Sequence, residues 1–383
     1  MKVVVAMDSL KGSLTSLEAG NAVREGILRA MPETEVVVKP LADGGEGTLD
    51  ALIEGEKGTR VTLSVTGPMG GQTECDYGIL EDGKTAVMEM AQAAGIMLVA
   101  ENQRNPMQAS TYGVGEMICD AVHRGCRYII MGIGGSATND GGIGMLSALG
   151  FQFLDSEGRP VSGGASGLSG IVSVGADEVL PELAECEFQI ACDVRNPLCG
   201  ENGATFVYGL QKGLPQELCG EVDEGMRHYA EVAEAFCGKT CKEIPGAGAA
   251  GGLGFAFLAF LNGTLVPGVE LVLETIHLEQ EIKDAQLVVT GEGRLDAQTV
   301  MGKAPVGVAK IAKQYGCPVL AFAGEVTDEA EKCNEAGIYA FFPIVRGVTS
   351  LKDAMKPENA EHNMAAAVEQ VFRMISFFLL NKR

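Results

Sequence analysis

The chain has 383 residues, which is more than a single hydrophobic core usually supports, so we expect two domains. The formal net charge of −22 argues against a nucleic-acid partner, because nucleic-acid phosphates require a basic surface. The eleven cysteines show neither a disulfide framework nor the spacing of a zinc site. We therefore expect a cytoplasmic protein with no membrane span, since the apolar run at 252–261 is shorter than the ~20 residues that a bilayer requires.

The first part of the chain alternates between predicted strands and helices. A buried strand is expected over residues 3–7 and an amphipathic helix over 13–31, which Ser13 is placed to cap. A second strand over 35–41 and a second helix over 45–55 follow. Strands that alternate with helices in this way predict a parallel sheet with right-handed crossovers.

The middle of the chain has a different pattern. Residues 73–90 predict a β-hairpin, because two period-two runs flank an Asp-Gly turn. Helices are expected over 108–125 and 220–236, and a buried helix is expected after the glycine-rich stretch that begins at 246. From residue 285 onward the strand–helix alternation of the first part returns.

These patterns predict an α/β fold with two domains. The outer domain, a doubly wound parallel sheet of the Rossmann or flavodoxin-like type, is expected to comprise residues 1–66 and 268–383. A second α/β domain over 67–267 is inserted into it. A cleft between two domains is a usual place for a small-molecule site.

Two segments match nucleotide-binding motifs. Residues 78–85 fit the phosphate-loop pattern by letter, but they lie in the predicted hairpin instead of between a strand and a helix, so we reject them. Residues 132–137, with Asp155 at the end of a nearby predicted strand, imitate a dinucleotide fingerprint. The latter motif lies well inside the chain and not at the start of a run of βαβ units. A dehydrogenase is therefore kept as a second interpretation.

Five segments combine glycine with acidic, basic or hydroxyl residues where predicted strands end. In an α/β sheet such loops meet at one edge, and that edge is where ligands bind. Helix capping is the simpler explanation for the carboxylates of Asp43 and Glu46, and it stays open. A plain turn, however, does not require the two acids and two cations of the last segment. The segments are residues 8–13, 42–48, 131–145, 191–198 and 290–305.

Phosphoryl transfer is the chemistry that uses these residue types. It requires backbone N–H groups and cations around the phosphates, carboxylates that hold Mg²⁺, and an acid that accepts a hydroxyl proton. No Ser-His-Asp arrangement competes with this interpretation, because the four histidines lie in helical or charged surface stretches.

Taken together, the motifs resemble those of the bacterial type-1 glycerate kinases over nearly the whole chain. The resemblance implies phosphorylation of D-glycerate with ATP and Mg²⁺, generally on the 2-hydroxyl, and two α/β domains with one inserted into the other. A kinase that forms 3-phosphoglycerate is the near alternative. The matching motifs, in the family's order, are MDSLKGSLTSLEAG, ADGGEGT, GPMGG, TAVMEMAQAAG, GGSATNDGG, CDVRNPLCG, GAGAAGGLG and TGEGRLDAQTVMGKAP.

Individual residue roles are hypotheses that rest on residue chemistry. Asp193 is our choice to accept the hydroxyl proton, and Lys11 and Arg294 would neutralise the phosphoryl group in transfer. Five other carboxylates stay open for the proton-accepting role, namely Asp8, Asp43, Glu46, Glu292 and Asp296. Asp43 and Asp296 would hold Mg²⁺, directly or through water. The nucleotide phosphates would be bound by Gly134, Gly135, Ser136 and Asn139, and the substrate by Ser9, Arg195, Glu292 and Lys303.

Two other classes of function remain open at this stage. An NAD-dependent dehydrogenase would use residues 132–137 and Asp155, and a non-catalytic metabolite-binding protein would have the same clefts without the chemistry. The expected partners are glycerate and ATP, with the chain a monomer or a homodimer. The concentration of acids and cations in several loops favours a catalyst.

Overall fold

The computed structural model describes residues 1–45 and 47–380, and the chain divides into two compact units. The first unit contains Met1–Asp43, Asp50–Lys57 and the chain from Val269 onward. The second unit contains Gly44–Leu49 and Gly58–Gly268.

The strands are β1 (Lys2–Met7), β2 (Glu35–Val38), β3 (Thr59–Thr66), β4 (Gln72–Ile79), β5 (Thr85–Glu89), β6 (Tyr128–Gly132), β7 (Gln152–Leu154), β8 (Ser173–Gly175), β9 (Glu187–Ala191), β10 (Thr264–Val266), β11 (Leu287–Leu295), β12 (Val319–Val326) and β13 (Ala340–Pro343). The α-helices are α1 (Ser16–Ala30), α2 (Thr48–Gly55), α3 (Ala91–Ala94), α4 (Tyr112–His123), α5 (Ile143–Ala148), α6 (Ala204–Tyr208), α7 (Cys219–Cys237), α8 (Ala249–Phe260), α9 (Gly268–Thr275), α10 (Leu278–Ile282), α11 (Ala304–Gln314), α12 (Lys332–Glu335), α13 (Leu351–Ala354) and α14 (Pro357–Leu380).

The first unit is built on a parallel sheet with the order β13-β12-β11-β1-β2. Strand β1 is buried on both faces: Val3 and Val5 pack into the core formed with α1 and α14, while Val4 and Ala6 face the opposite side and are equally buried. A strand with both faces buried needs apolar residues at every position, which is the run that the sequence shows. Counted along the chain, the strand order is that of flavodoxin-like sheets, and the predicted doubly wound α/β class is confirmed.

Helix α1 begins one turn later than the sequence analysis expected, and Ser13 does not cap it. Thr15 is the N-cap: its hydroxyl accepts from the Glu18 amide at 3.2 Å, and the Glu18 carboxylate accepts from the Thr15 amide at 2.8 Å. This reciprocal pair is a capping box, which satisfies two N–H groups that the helix cannot. The prediction for Ser13 was wrong because the backbone makes a further turn over Leu10–Leu14 before the helix starts.

The second unit is built on a mixed sheet with the order β10-β9-β6-β5-β4-β3. Strands β5, β6, β9 and β10 are parallel to one another, and their carboxyl ends therefore lie along one edge. Strands β3 and β4 add an antiparallel extension. The core of this unit lies between the sheet and the helices α4, α5, α7 and α8.

The predicted hairpin is confirmed. Strands β4 and β5 pair in antiparallel fashion, and Asp82 closes the turn by accepting from the amides of Lys84 and Thr85 at 2.8 and 2.9 Å. The phosphate-loop match at residues 78–85 is thus a hairpin turn, as the alternating pattern indicated.

The boundary between the units lies earlier than the expected residue 66. Strand β3 pairs over its full length with β4, from Thr59 opposite Ile79 to Thr66 opposite Gln72, so it belongs to the second unit. Among the described residues, no helix is long and apolar enough to cross a lipid bilayer.

We expect the Thr15→Ala variant to lower the free energy of unfolding by about 1 kcal/mol, because it removes the N-cap of α1. Ser13→Ala is the matched control. The Ser13 hydroxyl is buried and has no hydrogen-bond partner among the described residues, so its removal should be neutral or slightly stabilising. Urea unfolding followed by circular dichroism measures both, and equal losses for the two variants would contradict the assigned cap.

Candidate functional site

In the first unit, polar residues gather where β1 and β11 end. These two strands are adjacent, and the Asp8 amide continues their ladder by donating to the Gly291 carbonyl at 2.9 Å. The chain order reverses at this point, since β2 flanks β1 on one side and β11 flanks it on the other. Ligands of open α/β sheets bind outside the carboxyl ends of the strands at such a reversal. Three predicted residues lie here: Ser9 and Lys11 follow β1, and Glu292 lies in the last part of β11.

Three carboxylates interact electrostatically at this edge. Burial raises the pKa of Asp8 to about 7, and repulsion from Asp43 and Glu292 adds to the shift. A hydrogen bond from the Ser9 amide at 2.7 Å and the charge of Lys11 oppose it in part. Burial and repulsion from the neighbouring carboxylates thus disfavour the ionised form of Asp8.

Lys11 forms an ion pair with Asp43, with 3.2 Å between Nζ and Oδ2, yet most of its side chain remains exposed. Partial burial opposes the charged ammonium, but attraction from Asp43, Asp8 and Glu292 outweighs it and raises the pKa of Lys11. Lys11 is thus a cation that stays charged and faces solvent. Glu46, which the sequence analysis considered together with Asp43, lies outside the described residues.

The loop after β11 places a second cation beside the same carboxylates. Lys303, the residue that precedes α11, lies 3.3 Å from Glu292 and 3.8 Å from Asp296. Glu292 also accepts from the Thr299 hydroxyl at 2.7 Å, and burial raises the pKa of Glu292 in spite of these two partners. The structure thus brings Lys303, Glu292 and Asp296 together, as the sequence analysis expected for this segment.

Arg294 has a more peripheral position than predicted. Its side chain is more than half exposed and lies 3.5 Å from Glu325 and 3.8 Å from Asp296. Asp296 also caps a local turn by accepting from the Gln298 amide at 2.8 Å. The charge of Asp296 is therefore shared between two cations.

In the second unit, a cavity of about 370 Å³ opens at the carboxyl ends of β6 and β9. Its walls come from the segments that follow these strands, from Gly44 and Gly45, and from the start of α8. Among the described residues, Asp193 and Lys212 are the charged ones in its lining. Half of the lining residues are glycine, alanine or serine, so a ligand can approach the main chain closely there.

The loop after β6 lines this cavity with Gly134, Gly135 and Ser136. Within residues 1–45 and 47–380, the amides of Gly134, Gly135 and Ser136 donate no hydrogen bond, whereas the Gly135 carbonyl accepts from the Ile96 amide at 2.8 Å. Gly135 has a φ of +73°, a conformation that glycine adopts without strain. Successive free N–H groups form an anion-binding concavity.

Asn139 occupies a different position from the one predicted. It is fully buried and does not line the cavity, and its amide donates to the Thr205 hydroxyl at 3.0 Å. The neighbouring Asp140, also fully buried, accepts from the Thr111 amide and hydroxyl, both at 2.8 Å, and from the Gly142 amide at 3.1 Å. The hydrogen bonds of Asn139 and Asp140 hold the glycine-rich loop in position.

The loop after β9 carries Asp193, which lines the cavity and accepts from the Gly268 amide at 2.9 Å. Arg195 is exposed two residues later and does not line the cavity. In the described part of the chain, its guanidinium forms no hydrogen bond or ion pair. Asp193 thus lines the cavity, whereas Arg195 does not.

Sequence reasoning missed two features of the cavity. One is Lys212, which lies in a short 3₁₀ turn, Leu210–Lys212, outside any glycine-rich motif. The other is the left-handed backbone of Ala250, Gly251 and Gly252 at the start of α8. A Cβ at position 251 would collide with the Thr138 carbonyl, so the GAGAAGGLG stretch allows this chain segment to approach the loop after β6.

The structure does not place Asp155 where a dinucleotide-binding fingerprint requires its acidic residue. Strand β7 pairs with β8 in a separate two-stranded sheet, so Asp155 does not follow a strand of the sheet that contains β6. Its carboxylate instead accepts from the Arg159 amide at 3.0 Å and from the Arg159 side chain. No group of three or more His, Cys, Asp and Glu residues within the described ranges could hold a metal ion by itself.

The fold and these residues define an α/β enzyme whose polar groups lie at the carboxyl ends of parallel strands. The sequence model of the glycerate kinase family matches residues 3–376, and the chain belongs to this family. The family resemblance inferred from the motifs is therefore confirmed.

Individual relatives cover almost the whole chain. Glycerate kinase of Haemophilus influenzae is 44% identical over 98% of this chain and 99% of its own. Glycerate kinase of Halalkalibacterium halodurans is 46% identical over 95% and 97%, and glycerate 2-kinase of Escherichia coli K12 is 42% identical over 96% and 98%. The crystal structure of a protein designated glycerate kinase 2 from Salmonella typhimurium LT2 superposes with a TM-score of 0.92, at 39% identity and over 99% of both chains.

The protonation of Asp8 should make stability depend on pH. In the folded chain the pKa of Asp8 is about 7, well above the ordinary value of 3.8 for an aspartate, so the folded chain binds an extra proton between these two values. Stability therefore falls as the pH rises through this range. From pH 5 to pH 8 the Asp8→Asn variant should lose about 2 kcal/mol less stability than the original chain. The exposed Asp284→Asn serves as a control and should follow the original chain, as measured by urea unfolding at each pH. Parallel curves for all three proteins would contradict the shift.

Proposed function

We propose that this enzyme transfers the γ-phosphoryl group of ATP to the 2-hydroxyl of D-glycerate, which yields 2-phosphoglycerate and ADP. The glycerate oxygen attacks the γ-phosphorus, the bond to the β–γ bridging oxygen breaks, and the hydroxyl proton passes to a carboxylate. Membership of the glycerate kinase family supports the reaction, and the name of the E. coli relative, glycerate 2-kinase, supports the position.

The observation that carries the proposal is the row of free amides on Gly134, Gly135 and Ser136 beside the cavity. Phosphoryl transfer depends mainly on positioning and on charge stabilisation, and backbone N–H groups supply both without having to reorganise. We assign the nucleotide phosphates to these amides. Asn139 contributes indirectly, since its bond to Thr205 holds the loop in place.

Mg²⁺ fits the carboxylates at the carboxyl ends of β1 and β11. Mg²⁺ is usually bound by one or two carboxylates together with substrate phosphates, so a set of two protein ligands is sufficient. The raised pKa of Asp8, in part a result of repulsion by Asp43, is relieved when a divalent cation is close. We propose Asp43 as a ligand, with Asp296 acting through water because Lys303 and Arg294 already share its charge. When bound, the ion neutralises charge on the phosphates.

The cations of the first unit would act on the substrate and on the transferring group. Lys11 is exposed and charged, which suits a group that neutralises the phosphoryl in transfer, and Arg294 is proposed for the same task. Lys303, which Glu292 orients, would bind the glycerate carboxylate. Arg195, a residue of the second unit, stays a proposed substrate-binding residue. The substrate set is completed by Ser9.

The reaction itself can be followed by ³¹P NMR with ATP, Mg²⁺ and D-glycerate. We expect a new phosphoester signal that the single methine proton of 2-phosphoglycerate splits into a doublet. A triplet, from the two methylene protons of 3-phosphoglycerate, would contradict the assigned hydroxyl while leaving the kinase in place. The same mixture with excess EDTA should give no product, and the absence of any phosphoester with Mg²⁺ present would overturn the proposed function.

Asp193 is proposed as the group that accepts the hydroxyl proton. Asp193→Asn keeps an oxygen that can accept from the Gly268 amide but removes the basic carboxylate, so kcat should fall about 100-fold or more. Asp177→Asn, an exposed substitution in the same unit, is the control and should leave kcat unchanged. An increase confined to KM in the Asp193 variant would make this residue a binding group instead.

A further inference from the structure

Lys212 is a buried cation in the wall of the second unit's cavity. Only 3% of its surface is exposed, although it is one of the residues that line the cavity. It ends the 3₁₀ turn that follows α6, and Gly213 then adopts a φ of +91°. A side chain at position 213 would crowd the Arg104 carbonyl, so glycine is needed to turn the chain there.

The hydrogen bonds of Lys212 hold it against the glycine-rich loop. Its ammonium donates to the Ser136 hydroxyl and to the Thr138 carbonyl, both at 2.7 Å. An ammonium has three N–H donors, and in the described part of the chain the third has no acceptor and no carboxylate forms an ion pair with it. A buried ammonium without a counter-ion is costly unless a ligand supplies the negative charge.

We propose that the Lys212 ammonium binds a phosphoryl oxygen of the nucleotide, together with the amides of Gly134, Gly135 and Ser136. This inference rests on the proposed function and adds to it the cation that the amides lack. The bond to Ser136 links Lys212 to this loop, because the hydroxyl that accepts from Lys212 belongs to a residue that lines the cavity.

The charge state of Lys212 gives the proposal an independent signature. Burial lowers the pKa of Lys212 to about 7, and the charge of Asp140 opposes this shift in part. A bound polyanion stabilises the protonated ammonium and should therefore draw a proton onto it. The other titratable or charged groups around Lys212 and the cavity are Arg104, which contacts the Gln211 carbonyl, and Asp193, Cys192 and Tyr208 in the lining.

The first experiment compares Lys212→Met with Lys239→Met. Lys239 is a part-buried lysine of the same unit that makes three hydrogen bonds away from the cavity, so its loss tests for a purely structural effect. We expect Lys212→Met to raise KM for ATP and Kd for ADP about 10- to 100-fold, with KM for glycerate unchanged. The control should change neither constant. An increase in KM for glycerate alone, or no change in any constant, would overturn the assignment.

The second experiment measures proton uptake and does not require Lys212→Met to fold. ADP with Mg²⁺ is titrated calorimetrically at pH 8 in two buffers of different ionisation enthalpy. The original chain should take up close to one proton per ADP, whereas Lys212→Arg, whose guanidinium is always protonated, should take up less by that amount. Equal uptake by the two proteins would contradict the proposal. If the original chain binds ADP and phosphorylates glycerate in that case, the proposed function survives without Lys212, but no ADP binding at all would defeat both.

Discussion

The second unit depends on unpaired backbone amides at the carboxyl end of β6. A buried N–H group without an acceptor is costly, so a folded chain leaves such groups free only where a ligand or water reaches them. Glycine makes this possible at Gly134 and Gly135, because no side chain shields the amides and the left-handed turn carries no strain. The buried polar residues behind them, Asn139 and Asp140, then hold the loop in position.

The first unit faces the opposite electrostatic problem. Its strand ends collect carboxylates, and the burial of Asp8 near Asp43 and Glu292 raises the free energy of the charged state. Ion pairs of Lys11 with Asp43 and of Lys303 with Glu292 oppose this effect. The two units thus differ in the charge that they suit: the amides of the second suit an anion, and the carboxylates of the first suit a cation.

Much of the fold follows from local patterns. The all-apolar run of β1 predicted a strand buried on both faces, and the runs around the Asp-Gly turn predicted the hairpin of β4 and β5. The cap of α1 was misplaced, since Ser13 and Thr15 are both acceptable caps and only the turn before the helix selects Thr15. The sequence analysis assigned strand β3 to the outer domain, but β3 belongs to the second unit. Its pairing with β4 decides this, and the residues of β3 alone do not show that pairing.

By itself the sequence determined the α/β class, the family and the loops that carry chemistry, because hydrophobic period, glycine content and motif order are all local properties. Only the tertiary structure decided which polar residues face a cavity and which are buried supports. Asn139 and Ser136 lie three residues apart in one motif, yet one braces the loop and the other lines the cavity. Lys212 is 76 residues from the hydroxyl it contacts, and no local pattern encodes that distance. The physical reason is that burial and counter-ion balance depend on segments that meet only when the chain folds.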